Sequence, residues 1–453
     1  MPFVDDGTYG CVFSPALKCT DKRKLQDNTV GKIFSDYNEF TEEKATNEMI
    51  VEKLDPKHKW TVPYLGTCET NIKESNEKDE IKKCKHISKS DKIKEQLILT
   101  YGGISLRKLC ENIDKYPDFT LDEFILMFLP IMRGIITLDK EKLCHLDIKP
   151  ANILYNIDQN KLYLIDFGLL TSQSELLEQD SIISFDYPYF PPEFKMCYTL
   201  ITTDTTLKSS DYILSNFELY DKNKFLQELK PFIDYDEQLK IFLDKYKDNG
   251  PEFIETYENK YSSKVDIYSL GMSFFEVYYF LKINNKLRIN NNDFVNECIK
   301  KVFSKMIHPN ADERCIPNKA CKELSKIIRY YKSLGLKVTV SLSPSPKSKS
   351  KSPVRLPNIP TPKKDNSRSP TNYSTYTVKQ LKVALKEKGR SVTGNKDTLL
   401  ERVSKTKTPP VNVSTLTQSQ CEKLKTSQIK ELLQERNKPI HGNKKTLCER
   451  LLQ

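Results

Sequence analysis

Between residues 144 and 154 the chain reads CHLDIKPANIL, a stretch that limits the available folds more than any other. Its apolar residues ask for burial, yet Asp147, Lys149 and Asn152 interrupt them at short intervals. Such groups are expensive to bury without charged or metal partners, so the stretch must lie on a loop lining a polar cleft. The sequence LYLIDFGLL at 162–170 offers one partner, because Asp166 ends an apolar strand just before Phe-Gly. A carboxylate there is costly as packing and inexpensive if it holds a divalent cation, with the Asn152 amide oxygen as a second ligand. Oxygen ligands beside phosphates suit Mg²⁺, and Asp147 and Lys149 could then handle a hydroxyl proton and phosphoryl charge.

Upstream, DDGTYGCVF at 5–13 is a Gly-containing turn followed by the β-formers Val12 and Phe13. It is either a plain hairpin or a loop whose amides cover phosphates. NTVGKIF at 28–34 sets Lys32 in a strand-like run, where an ammonium is useful only beneath anions. The helix-like TEEKATNEMIVEKL at 41–54 offers Glu48 as its partner, with Glu43 and Glu52 as rivals.

Taken in order, these pieces resemble the eukaryotic-type serine/threonine protein kinase set. DGTYGCV is similar to the Gly-rich loop, VGKIF to the strand-3 lysine motif, HLDIKPAN to the catalytic loop and DFG to the metal-binding motif. FPPEF at 190–194 resembles the end of the activation segment, KVDIYSLGMSFFEV at 264–277 the central C-lobe helix with Asp266, and HPNADERC at 308–315 the later Arg motif. The resemblance implies an α+β, bilobal protein kinase fold with a β-rich N-lobe and a helical C-lobe, using ATP and Mg²⁺ on protein Ser/Thr hydroxyls. By position it implies Asp147 as catalytic base, Lys149 as γ-phosphate contact, and Asn152 and Asp166 as metal ligands. Gly7, Gly10, Val12, Lys32, Glu48, Thr100, Tyr101, Gly102 and Leu154 are the expected nucleotide-site residues, with 100–102 as the hinge. Arg314 is the expected ion-pair partner of Glu193.

The departures carry information too. Asp5 stands where a loop glycine is usual, and Leu146 replaces the Arg that commonly receives a phosphorylated activation segment. That second change implies an enzyme not dependent on such phosphorylation. Insertions are expected at about 70–95, as a surface loop, and at 194–262, where 220–261 should be largely helical and lie beside the peptide groove. YGCVFSPALKC at 9–19 and KLDPKHKWTVPYLGTCE at 53–69 are similar to kinases of large DNA viruses.

Composition bounds the setting. No apolar run is long enough to span a bilayer, and the opening MPFVDDGTYG lacks the features of a secretion signal. The 12 Cys are scattered singly, so free thiols in a reducing compartment are expected, with a zinc site from Cys84, His86 and Cys19 or Cys68 as the alternative. The net charge of +11 is unevenly placed. Residues 341–453 hold 24 Lys+Arg against 8 Asp+Glu, while the first 340 hold 48 against 53, so the tail should meet a polyanion.

The expected organisation is a kinase-like domain at 1–338, a disordered Ser/Pro/Lys linker at 339–374, a small unit at 375–407, a linker at 408–424 and a second unit at 425–453. The units repeat: QLKVALKEKGRSVTGNKDTLLERV at 380–403 aligns without a gap on QIKELLQERNKPIHGNKKTLCERL at 428–451. Val378, Leu381 and Leu385 mark one helical stripe, and Leu399, Leu400 and Val403 a second after the Gly-Asn turn. Each helix–loop–helix unit resembles a SAP motif, which implies DNA binding. Lys396, Arg402, Lys444 and Arg450 are the expected phosphate contacts, the alternative being basic helices that dock on protein. The expectation is thus a protein kinase directed to DNA, set against a pseudokinase scaffold tethered to DNA. It should act inside the cell, in the nucleus, at a viral replication site or packaged in a virion, with no membrane partner and an oligomeric state left open.

Overall fold

A computed structural model describes residues 3–6, 10–73, 78–87, 92–178, 187–203, 233–246 and 250–335, together with Leu400 and Leu451. The chain divides into two compact units, Met1–Lys364 and Asp365–Gln453. Nearly all described residues belong to the first, which is bilobal. Gly7, the 339–374 linker and the expected DNA contacts Lys396, Arg402, Lys444 and Arg450 lie outside the described residues.

The N-lobe is a five-stranded antiparallel sheet. Strands β1 (Phe3–Asp6), β2 (Gly10–Phe13), β3 (Thr29–Phe34), β4 (Tyr64–Asn71) and β5 (Ile93–Thr100) are ordered β1-β2-β3-β5-β4. Asp5, the residue in a glycine's usual place, pairs with Val12, and Val12 in turn pairs with Lys32. Two-residue alternation sends Lys32 and Phe34 to one face, against helix α1 (Tyr37–Met49), and Ile33 to the other. The Asp36 carboxylate caps α1 by accepting the Asn38 amide at 2.7 Å.

That other face departs from expectation. Cys11, Phe13, Leu17 and Ile33 are covered by Ile72 and by Ile81 and Cys84 of the insertion, whose short helix α2 spans Lys78–Ile81. The described part of the insertion is therefore a lid on the sheet rather than a surface loop. A disulfide joins Cys11 to Cys84, and a second joins Cys19 to Cys68. Both the free-thiol reading and the zinc alternative fail at these four positions, because each sulfur is bonded to another across the sheet. Cys110, Cys144, Cys197, Cys298, Cys315 and Cys321 of the C-lobe are free and buried.

The C-lobe is helical around α4 (Leu121–Lys140). Its start is capped by Thr120 Oγ1, and its residues Phe124 and Phe128 pack with Phe274 and Phe303 at the centre of the core. Gly134 is required on this helix, since a Cβ would stand 2.4 Å from the Trp60 ring. Helices α3 (Leu106–Glu111) and α5 (Pro192–Thr203) precede α6 (Tyr235–Tyr246) and α7 (Gly250–Thr256). The described parts of the second insertion are thus helical, as expected. The apolar helix α8 (Val265–Ile283) crosses the middle, followed by α9 (Asn292–Cys298) and the amphipathic α10 (Pro317–Ser333). Short strands β6 (Ile104–Ser105), β8 (Ile153–Asn156) and β9 (Lys161–Leu164) form a small sheet, and β7 (Leu143–Cys144) pairs with β10 (Thr171–Ser172). These strands hold the two polar loops, at 145–152 and 165–170, side by side beneath the N-lobe. No helix among the described residues is long and apolar enough to cross a membrane.

Candidate active site

The 145–152 loop is fixed from behind. Asp266, buried at the start of α8, accepts the amides of His145 at 2.7 Å and Leu146 at 3.1 Å. These bonds hold Leu146 at φ +64°, a conformation that favours glycine, while its side chain is buried where an Arg would need a partner. His145 accepts the Asp147 amide at Nδ1, so its Nε2–H donates to the Ile165 carbonyl at 3.2 Å. Burial lowers the His145 pKa, which keeps the ring in this neutral form.

Asp147, Lys149 and Asn152 converge. Lys149 Nζ lies 2.8 and 3.0 Å from the two Asp147 oxygens, and Asn152 Nδ2 donates to Asp147 Oδ2 at 2.7 Å and to its carbonyl at 2.9 Å. With both bonds made by the amide nitrogen, no described residue donates to Asn152 Oδ1. Asp166 sits opposite at φ +63°, with Phe167 packed on His145 at 4.6 Å and on Trp60 at 6.0 Å.

Lys32 reaches down from β3 to this group. Its Nζ is 2.7 Å from Glu43 Oε2 and 3.5 Å from Asp166 Oδ1. Burial opposes its charge, but the two carboxylates outweigh burial and raise its pKa. Burial also pushes Glu43 up against the pull of Lys32. The lysine decides the state of the pair, since one ammonium faces two carboxylates. Burial works against the Asp166 charge, but the Lys32 and Lys149 ammonium groups hold its carboxyl below the ordinary value.

The expected partner Glu48 is not the one used. It faces solvent and lies 4.0 Å from Lys44. The cap at Asp36 and the buried Phe40 set the phase of α1, and Glu43, one turn beyond Phe40, shares its inward face.

At the back of the cleft the hinge is partly committed. The amides of Thr100 and Tyr101 donate to the carbonyls of Pro63 at 2.9 Å and Asn28 at 2.7 Å. A Cβ on Gly102 would lie 2.5 Å from Val62 Cγ1 and 2.7 Å from Leu154 Cδ1. Val62 and Leu154 close on the hinge so tightly that only a residue without a side chain fits at 102. Val12 lies on β2, and Gly10 begins that strand.

Behind the site, Glu193 and Arg314 form the expected pair, both fully buried. Arg314 Nη2 donates to Glu193 Oε2 at 2.9 Å, Nη1 donates to Oε1, and Nε donates to the His308 carbonyl at 2.9 Å. Two tyrosines in front of this pair escaped sequence reasoning. Tyr187 donates to Asp147 Oδ1 at 2.7 Å, and Tyr189 donates to Glu276. Their only sequence signal is the aromatic density of YPYF before PPEF.

A five-stranded lobe carrying a lysine–glutamate pair, set over a helical lobe carrying an Asp-Lys-Asn loop and an Asp-Phe-Gly turn, is the architecture of a protein kinase domain. Comparison with known proteins agrees. Residues 4–207 match the protein kinase domain family, and residues 372–405 and 420–453 each match the SAP domain family. A probable serine/threonine-protein kinase of Dictyostelium discoideum is 31% identical over 144 residues, 27% of this chain and 15% of its own length. The probable serine/threonine-protein kinases ifkB and ifkA of the same organism are each 25% identical over 182 residues, 38% of this chain and 11% and 7% of their own lengths. The matched stretch thus spans at most 15% of these relatives. The chain carries a protein kinase domain followed by two SAP domains.

Proposed function

We propose that this chain is an active serine/threonine protein kinase that uses ATP with Mg²⁺ and is directed to DNA by its SAP domains. The observation that carries the reading is the joining of Lys32 to both Glu43 and Asp166, across from the Asp147–Lys149–Asn152 cluster. A charged lysine held between two carboxylates is placed to grip phosphate oxygens. Val62 and Leu154, packed against Gly102 of the hinge, supply apolar groups of the kind a purine ring stacks on. The donor set also fits a hard cation: Asn152 Oδ1 has no donor among the described residues, and Asp166 is held ionised. Those two groups would hold Mg²⁺, which when bound supplies charge neutralisation on the phosphates.

The chain's own residues do the rest. Asp147 orients the acceptor hydroxyl and takes its proton, and Lys149, already on that carboxylate, offsets charge on the moving phosphoryl group. Lys32 fixes the nucleotide end of the line. The serine/threonine preference rests on the relatives' class and on Lys149, two residues after Asp147. The basic tail supports a nucleus or a viral replication site as the place of action.

Two measurements test the reading. Purified full-length protein with labelled ATP, Mg²⁺ and casein should transfer phosphate, and Asp147→Asn should abolish transfer while leaving nucleotide binding. A wild-type protein that binds Mg-ADP without transfer would favour the pseudokinase. The full chain should also bind duplex DNA with an affinity that falls with salt. Replacing Lys396, Arg402, Lys444 and Arg450 by Gln should cut the log–log salt slope by roughly 3–4, since each phosphate contact contributes about 0.9. An unchanged slope would remove these residues from the interface.

A further inference from the structure

The last described helix of the kinase domain carries charge that neither the fold nor the site uses. Helix α10 has five basic residues, Lys319, Lys322, Lys326, Arg329 and Lys332, against one acid, Glu323. The first 340 residues hold 48 Lys+Arg against 53 Asp+Glu, so this is a local reversal of sign. At about 100° per residue, steps of three and four put Lys319, Lys322, Lys326 and Arg329 on one stripe about 80° wide. All four are exposed, while Leu324, Ile327 and Ile328 bury the opposite face.

A face that only keeps a helix in water interleaves its signs, with acids one turn from bases. Here Lys322 and Lys326 are a like-charged i,i+4 pair, flanked by like-charged i,i+3 pairs with Lys319 and Arg329. Such pairs work against the helix. Lys332 suits the last turn, but Lys319 sits in a first turn that holds no acid, where the helix dipole opposes a cation. Phe294 of α9 packs on Tyr331 at 5.4 Å, which sets α9 and the exposed Lys300 that follows it beside α10. Among the described residues none of the four stripe cations stands in an ion pair, although Lys301 is held by Glu297 at 2.6 Å. The neutralisation that these charges lack within the chain is available from an anion outside it.

Resting on the reading of the tail as DNA-directed, we propose that this face of α10 is a second duplex-DNA surface, carried by the kinase domain itself. Lys319, Lys322, Lys326 and Arg329 contact phosphates of the duplex that the SAP domains hold. The dimensions agree. Lys319 and Arg329 are ten residues apart, about 15 Å of helix, against ~3.4 Å per phosphate along one DNA strand. The chain then runs 36 residues, 336–371, before the first SAP match begins at 372. That length bridges at most ~120–130 Å, so body and tail can hold one duplex together. A second contact on the same chain adds avidity through a high effective concentration. Phosphate contacts carry no sequence preference, but they fix which side of the kinase domain faces the DNA.

The experiment titrates full-length protein onto a mixed-sequence duplex over a range of salt, beside melting temperature and casein phosphorylation. Lys319→Gln, Lys322→Gln, Lys326→Gln and Arg329→Gln together should lower the log–log salt slope by roughly 3–4, at about 0.9 per phosphate contact. Melting and casein phosphorylation should not change, since none of the four lies in the core or the cleft. A control replaces the exposed Lys18, Lys24, Lys53 and Lys57 of the N-lobe by Gln, which removes the same charge elsewhere and should move the slope by less than about 1. An equal loss in the control makes the effect one of net charge and overturns the inference. A face variant with the wild-type slope overturns it too; if the variant at Lys396, Arg402, Lys444 and Arg450 then loses slope, the DNA reading stands without it. Wild-type protein with no salt-dependent binding overturns both. If the fourfold change lowers the melting temperature, Lys322→Gln with Lys326→Gln is read in its place: a slope loss of roughly 2 supports the surface, and no loss overturns it.

Discussion

Arg314 offers the sharpest energetic test, because its surroundings are fully specified. Its guanidinium and the Glu193 carboxylate are both completely buried and joined by two parallel hydrogen bonds, with Nε on the His308 carbonyl and the cation 4.7 Å from the Tyr268 ring. Burial opposes the Arg314 charge, but Glu193 more than compensates and holds its pKa above the ordinary value. Arg314→Met removes the cation and strands a carboxylate in an apolar interior, a loss of about 3–5 kcal/mol. The lost bond to His308 adds about 1 kcal/mol. Replacing both partners, as Glu193→Leu with Arg314→Met, strands nothing and should recover about 2–3 kcal/mol relative to the sum of the single changes. Urea unfolding of the four proteins, followed by circular dichroism, measures the cycle. If the double variant loses as much as the two singles added together, the pair is not coupled and the account of its burial is wrong.

Further expectations are as specific. Glu43→Gln should lower kcat by roughly 10-fold or more, while Glu48→Gln, whose carboxylate faces Lys44 at the surface, should change it less than about 2-fold; equal effects would reject the assignment. His308 is buried with its pKa lowered to about 4 from 6.5, chiefly by burial. The stability that goes with its neutral form is complete above pH 6.5 and is lost as pH falls toward 4, by about 3 kcal/mol at most. His308→Gln should flatten the stability profile over that interval, and an unchanged slope would count against it. Reduction of Cys11–Cys84 and Cys19–Cys68 should destabilise the domain by about 2–4 kcal/mol for each bridge. Thermal melts with and without reductant, with thiols counted by mass spectrometry, check this; identical melts would refute it.

What was legible in the sequence follows the range of the interactions. Asp147, Lys149, Asn152 and Asp166 lie on two short loops separated by one hairpin, so their order along the chain already constrains their geometry. The Glu193–Arg314 pair spans far more chain but sits in two motifs with recognisable neighbours. The choice between Glu43 and Glu48 turned on where α1 begins, and a shift of a few residues in its cap rotates a different carboxylate inward. The disulfides were missed because scattered single cysteines look like thiols until an isolated bridge from Cys19 to Thr70 of β4 brings Cys19 beside Cys68. The insertion was read as a surface loop because nothing local announces that Ile81 and Cys84 will cover Phe13 and Ile33.

The two bridges are nested along the chain: the 49-residue span from Cys19 to Cys68 lies wholly within the 73-residue span from Cys11 to Cys84. Once the inner link forms, its span no longer counts toward the outer ring, and taking 49 from 73 leaves 24 residues to close. At (3/2)RT ln n this shortening eases the outer closure by about 1 kcal/mol. A maturing chain therefore gains by sealing Cys19 to Cys68 first. The opposite order encloses a long, unconstrained span inside a finished ring, and of the three ways to pair four cysteines the nested one rewards working from the inside outward.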